Sequence, residues 1–166
     1  MRVMNNLKSK FKKANKDNKG FSLVELIIVI AIMAILVGIV GTQVIPYINK
    51  SKEAKDYQII NSYGTAATTA YSSNAENVTA DTTIVMYGTP APTDGIQTTL
   101  SDNIKELTGY KDIAALKAKM GSKNGQDIKA IKIVISITNK TITTQAYSDE
   151  ACTAGNEVFD AIVTQL

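Results

Sequence analysis

The residue whose type and position could do chemistry is Glu25. It is the single charged side chain in the 25-residue apolar run from Phe21 to Ile45. A carboxylate placed inside a hydrocarbon core costs on the order of 2.5–3.5 kcal/mol or more, so such a residue needs a partner or a function. The chain contains no histidine, which is the commonest general base and metal ligand. We therefore predict ion pairing at Glu25, and no catalytic residue, metal site, cofactor or enzyme activity.

The apolar run around Glu25 predicts a membrane-spanning helix. Its length would be about 37 Å at ~1.5 Å per residue, enough to cross a hydrocarbon core of ~30 Å. Residues 1–20 before it carry seven basic side chains and one acidic one, whereas the rest of the chain has 11 basic and 14 acidic side chains. This bias predicts a cytoplasmic N-terminus and an external C-terminal body. The run is too long for an ordinary secretory signal, and the mildly acidic body predicts no nucleic-acid partner.

The helical pattern continues beyond the membrane-length run. Apolar and small side chains follow the 3.6-residue spacing to about Tyr71, although Lys52 and Lys55 interrupt the stripe. The apolar half, 21–45, needs lipid or other helices, and the amphipathic half, 46–72, must lie against a domain. Three residues predict a bend or local loosening of the helix between positions 38 and 46. Two of them lower the helix propensity, and the third lacks an amide hydrogen. The alternative is a kink that the helix merely tolerates. The three residues are Gly38, Gly41 and Pro46.

Residues 73–166 predict a small globular domain with an antiparallel sheet. Four isoleucines alternate with other residues from Ile131 to Ile137, which is the period of a strand. A turn at 138–141, where Asn139 tolerates positive φ, would lead into a returning strand over Thr141–Tyr147. The other predicted elements are a short strand at 83–87, helices at about 101–107 (capped by Ser101 or Asp102) and 112–120, and a tail, 158–166, that fits either a helix or a strand. The predicted fold class is α+β, with a long N-terminal helix packed by its second half on the sheet.

One cysteine, Cys152, cannot form an internal disulfide. We expect it to be a buried or half-buried small apolar residue. The surrounding loop, 148–157, must then be held by packing or hydrogen bonds. The adjacent acidic pair Asp149-Glu150 is compatible with calcium, but nothing else in the sequence supports a metal there.

The segment around Glu25 has a specific resemblance. A basic leader ending in Lys19-Gly20, followed by Phe21-Ser22-Leu23-Val24-Glu25-Leu26-Ile27 and a long apolar helix, resembles the type IV pilin family. The resemblance implies that Gly20 is the last leader residue and that a membrane prepilin peptidase cuts the Gly20–Phe21 bond. It implies that the same enzyme N-methylates Phe21. Glu25 would be the assembly carboxylate that pairs with the new amine of Phe21, in its own or a neighbouring subunit. The alternative is that Glu25 reaches out to the membrane interface.

The chain also departs from the family pattern. Many members have a proline where this chain has Thr42, whereas its proline is Pro46, so the loosened segment would be shifted or caused by Gly38 and Gly41. Many members close a C-terminal loop with a disulfide, which one cysteine cannot do. The leader is also long for the family. The Lys-, Asn- and Ile-rich composition without cystines resembles pilins of Gram-positive anaerobes.

The family resemblance implies a structural protein. It would be a membrane-anchored precursor with a cytoplasmic N-terminus, and then a subunit of an extracellular homo-oligomeric helical filament. Such a fibre supports adhesion, aggregation, biofilm formation or surface motility. The implied partners are a prepilin peptidase/N-methyltransferase, a pilus assembly platform and, before assembly, the membrane. A minor pilin or a type II secretion-like pseudopilin is the alternative. A membrane-anchored enzyme is a third class, but the sequence offers no catalytic set.

Overall fold

The computed structural model describes residues 20–166, so the predicted leader lies outside the described residues except for Gly20. Contacts between Cα atoms divide the chain into two compact units, one ending at Pro46 and one from Tyr47 to Leu166. Helical backbone runs from Leu23 to Ser73. It comprises α1 (Leu23–Ile39), a π-helical segment (Val40–Val44) and α2 (Ile45–Ser73). The elements that follow are β1 (Thr82–Met86), α3 (Gly95–Thr108), α4 (Ile113–Lys117), α5 (Lys123–Asp127), β2 (Ala130–Ser136), β3 (Thr141–Tyr147) and β4 (Ile162–Gln165).

The first unit contains the π-helical segment, which lies inside the interval from position 38 to position 46. The amide of Ile45 donates to the carbonyl of Val40, five residues back. The hydroxyl of Thr42 donates to the carbonyl of Gly38 at 2.9 Å. Pro46 favours a wider helical turn directly before it, because proline has no amide hydrogen to donate to the Thr42 carbonyl and its ring crowds that oxygen. Whether the helix also bends there remains a prediction.

The second unit is built on a four-stranded antiparallel sheet with the strand order β1-β2-β3-β4. Ile133 at the centre of β2 is opposite Ile84 of β1 and Thr144 of β3. The alternating isoleucines 131, 133 and 135 are fully buried, which confirms the predicted strand and its core face. The tail, which fitted either a helix or a strand, forms β4 and pairs with β3. The α+β fold class is confirmed.

Helix α2 packs against this sheet through residues that include small side chains. Ile60, Ala67 and Ala70 are buried, whereas Lys52 and Lys55 are exposed, as their charges require. A Cβ added to Gly64 would lie 3.5 Å from the Thr144 hydroxyl and 3.7 Å from a methyl of Ile162, so the helix backbone closely approaches the sheet. This packing confirms that the second half of the long helix lies on the globular domain.

A tyrosine cluster joins helix α2 to the chain around β1. The Tyr63 and Tyr87 hydroxyl oxygens are 2.9 Å apart, and Tyr87 donates to the Tyr110 carbonyl at 2.5 Å. Because Tyr87 uses its proton there, Tyr63 is the donor in the first bond. Burial, followed by the hydrogen bond to Tyr87, raises the pKa of Tyr63, and burial is also the main cause that raises the pKa of Tyr87.

Two local predictions about helix starts and turns were wrong. Helix α3 begins at Gly95, and its cap is Asp94, whose carboxylate accepts from the Ile96 amide at 2.7 Å. The predicted caps Ser101 and Asp102 lie well inside this helix. In the turn after β2, the positive φ of 53° belongs to Lys140 instead of Asn139. Asn139 instead donates its amide to the Ser136 hydroxyl at 3.2 Å.

The next helical segment is shorter than predicted, and another was missed. Helix α4 ends at Lys117 instead of position 120, after a start at which the Asp112 carboxylate accepts from the Ala115 amide at 2.8 Å. Helix α5 was not predicted. It is a five-residue helix that contains Gly125, and its cap is the Ser122 hydroxyl, which accepts from the Gly125 amide at 2.9 Å.

The C-terminal loop is closed by hydrogen bonds, as the single cysteine requires. The Ser148 amide donates to the Asn156 carbonyl at 2.9 Å. The Thr153 hydroxyl donates to Asp149 at 2.6 Å, and this bond is the main cause that lowers the pKa of Asp149. Cys152 is a buried free thiol whose pKa is raised by burial. The expectations for the loop and for its cysteine are thus met.

Candidate functional site

The predicted cleavage position lies just outside the long helix. Gly20 and Phe21 have no regular secondary structure, both are exposed, and Phe21 is 86% exposed. Ser22 has extended backbone angles (φ −64°, ψ 139°), and α1 begins at the next residue. A Cβ added to Gly20 would meet no atom within 4 Å. Exposed, irregular backbone of this kind is where proteases cut most readily.

Glu25 is part of the cap that begins α1. Its carboxylate accepts a hydrogen bond from the Ser22 amide at 2.9 Å. In the other direction, the Ser22 hydroxyl accepts from the Val24 amide at 3.4 Å, and the first helical bond joins the Leu26 amide to the Ser22 carbonyl. This reciprocal arrangement is a capping box, and a negative charge in the first helical turn also favours the helix dipole.

The capping box was missed by the sequence analysis, although the signal was present. Ser22-Leu23-Val24-Glu25 matches the pattern of a serine followed three residues later by glutamate, directly before an apolar run. In the structure, the Glu25 carboxylate accepts a hydrogen bond from the Ser22 amide, which directly follows Phe21. Cleavage of the Gly20–Phe21 bond would therefore release an amine one residue from the group that already binds Glu25.

The helix that follows the cap is exposed along its whole length within the part of the chain that the structure describes. None of the α1 side chains is buried, and an 18-residue window of the long helix has a mean hydropathy of 3.2. Soluble monomers rarely expose so large an apolar surface, which marks a membrane or protein contact. By length and composition, the helix can cross a membrane. Among residues 20–166, no group of three or more acidic or cysteine side chains is placed to hold a metal ion.

The second unit contains a buried carboxylate that the sequence analysis did not single out. Asp56 on α2 is fully buried and accepts hydrogen bonds from the amides of Gly121 (2.9 Å) and Ser122 (2.8 Å) and from the Ser122 hydroxyl (2.5 Å). Every bond comes from the segment before α5, so the carboxylate fixes this segment on α2. We interpret Asp56 as a structural residue because these donors satisfy its charge.

The sequence match identifies the class of this N-terminal site. Residues 15–41 match the family described as the prokaryotic N-terminal methylation motif. This motif is the class III signal of type IV pilins, so the resemblance seen in the sequence is confirmed for this segment. The match supports a type IV pilin-like or pseudopilin protein. The motif implies processing by a prepilin peptidase, and with the apolar helix it fits a membrane-anchored precursor.

The match ends at Gly41 and includes no residue of the second unit. No curated protein and no solved structure matches this chain. The likeness to known proteins therefore depends on the N-terminal signal alone.

Proposed function

We propose that this chain is the precursor of a type IV pilus subunit. The observation that carries the proposal is the apolar helix that no other part of the described chain covers, which begins at a capped Glu25 directly after an exposed Gly20–Phe21 junction. A prepilin peptidase cuts this junction on the cytoplasmic side of the membrane. The same enzyme then N-methylates Phe21, which keeps the positive charge of the new terminus.

Cleavage changes the partner of Glu25. Before cleavage, the carboxylate is bound to the Ser22 amide. Cleavage creates a cationic amine on Phe21, the residue directly before Ser22. Glu25 can then pair with the Phe21 amine of its own subunit or with that of a neighbouring subunit. An ion pair is strong where the dielectric constant is low, and an unpaired charge there is costly. Only one axial offset between neighbouring subunits pairs both charges, so the pair fixes the register of assembly.

The assembled product is an extracellular homo-oligomeric helical filament. Its cohesion comes from packing of the apolar helices of residues 21–45, whose side chains are exposed in the single chain. Extraction from the membrane and polymerisation use the pilus assembly platform. The fibre supports adhesion, aggregation, biofilm formation or surface motility.

A mass measurement on protein sheared from the cell surface tests the proposal. We expect an intact mass that lacks residues 1–20 and carries one additional methyl group, with Phe21 as the first residue. An abundant sheared protein that still begins at Met1 would overturn the processing step. Protein that is correctly processed but never leaves the membrane would overturn the filament role alone.

A minor pilin or a type II secretion-like pseudopilin is the second candidate. The observation that favours it is that the matched motif serves both classes and stops before the second unit. The two roles differ in stoichiometry. A major subunit forms most of the mass of purified filaments, whereas a minor pilin or pseudopilin would be a trace component of filaments built from another chain.

A further inference from the structure

A cavity of about 350 Å³ opens on the second unit between the end of β1, the middle of α3 and the start of α4. This volume is within the range of small-molecule sites. The apolar residues that line it are Val85, Ala91, Pro92 and Ile113. The polar residues that line the cavity are Tyr87, Ser101, Lys105, Lys111 and Asp112. None of these residues takes part in the capped helix start or in the apolar helix.

The unusual group in this cavity is the hydroxyl of Ser101. Ser101 is only 2% exposed, and its side chain makes no hydrogen bond to any of residues 20–166. Other hydroxyls on the same helix do so, since those of Thr98, Thr99 and Thr108 each donate to the carbonyl four residues back. Among residues 20–166, the fully buried side-chain atom without a partner is Thr144 Oγ1, so the Ser101 hydroxyl, which lines the cavity, keeps access to solvent. It is therefore free to donate to a group that enters the cavity.

The charges around the cavity are mostly positive. Lys105 is paired with Asp102 at 3.3 Å, but both side chains are substantially exposed and such pairs are weak. Lys111 is exposed and makes no ion pair with any described residue. The one carboxylate of the lining, Asp112, already accepts from the Ala115 amide as the cap of α4. The Tyr87 hydroxyl donates its proton to the Tyr110 carbonyl.

The side-chain donors that remain are therefore the Ser101 hydroxyl and two ammonium groups, in a cavity that also has apolar lining residues. We propose that this cavity binds a small oxyanion, a carboxylate or a phosphate, carried on a short apolar group. The oxyanion accepts a hydrogen bond from Ser101 and is held by Lys105 and Lys111. The apolar group contacts Val85, Pro92 and Ile113. The site is independent of leader cleavage and of assembly.

A titration of the full-length, isotope-labelled chain in an uncharged detergent tests this site by NMR. The probes are isobutyrate and isobutyl phosphate, which carry the two oxyanions on the same apolar group, inorganic phosphate, which lacks that group, and isobutanol, which lacks the charge. We expect saturable shifts centred on Ser101, Lys111 and Ile113 with isobutyrate or isobutyl phosphate. Inorganic phosphate should bind more weakly than isobutyl phosphate, and isobutanol should cause no saturable shift.

Substitutions make the assignment specific. Ser101→Ala should weaken binding about tenfold or more, the size of one lost hydrogen bond to a charged group, while the fold is kept because no protein bond is lost. Lys111→Met should weaken it at least as much. Asp102→Asn should strengthen it, because Lys105 loses its competing partner. The matched control is Lys129→Met, an exposed lysine outside the cavity, which should leave the affinity unchanged.

Three results would each overturn the proposal. The first is the absence of a saturable shift at the cavity with either charged isobutyl probe. The second is equal binding of isobutanol, which would reduce the site to an apolar pocket. The third is an effect of Ser101→Ala no larger than that of Lys129→Met, which would mean that only water occupies the space beside Ser101.

Discussion

The carboxylate of Asp56 accepts a hydrogen bond from the hydroxyl of Ser122, with the two oxygens 2.5 Å apart. The residues are 66 positions apart in the chain. Gly125 makes this approach possible, because a Cβ at that position would lie 2.3 Å from Asp56 Oδ2. The Ser122 hydroxyl also accepts from the Gly125 amide, so one hydroxyl both binds the carboxylate and caps α5.

Asp56→Ala should lower the free energy of unfolding by about 3 kcal/mol or more, since it leaves buried donors without their charged acceptor. Urea unfolding of the full-length chain in an uncharged detergent, followed by near-ultraviolet circular dichroism of the tyrosines, measures this change. Asp127→Ala removes an exposed carboxylate from the nearby α5 and should stay within about 0.5 kcal/mol of wild type. Equal effects of the two substitutions would contradict a structural role for Asp56.

Thr144→Val should stabilise the second unit by about 1 kcal/mol. The Thr144 hydroxyl is buried and has no hydrogen-bond partner among the described residues, and valine keeps the shape of the side chain while removing the polar atom. The same unfolding measurement checks this, with Thr143→Val on the less buried face of β3 as the control. A loss of stability on Thr144→Val would indicate that a bound water satisfies the hydroxyl.

Alkaline solution should destabilise the second unit through Tyr63. Its pKa is raised in the folded chain, mainly by burial, so above the ordinary value of about 10 the unfolded state releases a proton that the folded state retains. Stability is therefore complete below about pH 10 and falls as the pH rises above it. Tyr63→Phe should reduce this alkaline loss. A comparison at pH 7 isolates the separate cost of the lost Tyr87 bond, about 1 kcal/mol. An identical alkaline profile in the variant would refute the assignment.

Glu25→Ala and Glu25→Gln separate the two roles of this carboxylate. Glutamine keeps an oxygen that can accept from the Ser22 amide but has no charge, whereas alanine loses both. We expect both variants to be cut after Gly20 and to give few sheared filaments, because the ion pair needs the charge. Immunoblots of sheared and cell-bound fractions measure this, with the exposed Glu76→Gln as the control. Filaments of either variant at wild-type yield would refute the registry argument.

Gly20→Val should leave the leader attached. The junction is exposed and outside the helix, so a β-branched side chain next to the cut bond would obstruct the peptidase without disturbing the fold. Gly20→Ala, which adds only one methyl group, is the matched control and should still be cut. The intact mass of membrane-extracted protein distinguishes the two forms. A mature Phe21 terminus in Gly20→Val would disprove the cleavage assignment.

Features that depend on local periodicity could be predicted from the sequence. The alternating isoleucines of β2 and the strand Thr141–Tyr147 were located to within a residue or two. The capping box at Ser22 and Glu25 is equally local, because its pattern lies within four consecutive residues. In each case, the information lies within a few neighbouring positions.

Features that depend on distant contacts could not be predicted. Asp56 lies on the same helical face as Ile60 and Tyr63, but its donors come from a segment about 65 residues later, and nothing near Asp56 indicates them. Helix α5 is short and contains a glycine, so its local propensity is poor. The positive φ at Lys140 was likewise missed because asparagine is the more frequent residue in that conformation.

The way the C-terminal loop is closed has a consequence for where the protein can mature. The bonds from Ser148 to Asn156 and from Thr153 to Asp149 form without electron transfer, and Cys152 is the only cysteine of the chain. Folding of the second unit therefore needs no thiol oxidase, no disulfide isomerase and no terminal electron acceptor. Reductants such as free thiols should leave the loop closed, so the second unit can fold equally well under anoxic and oxic conditions.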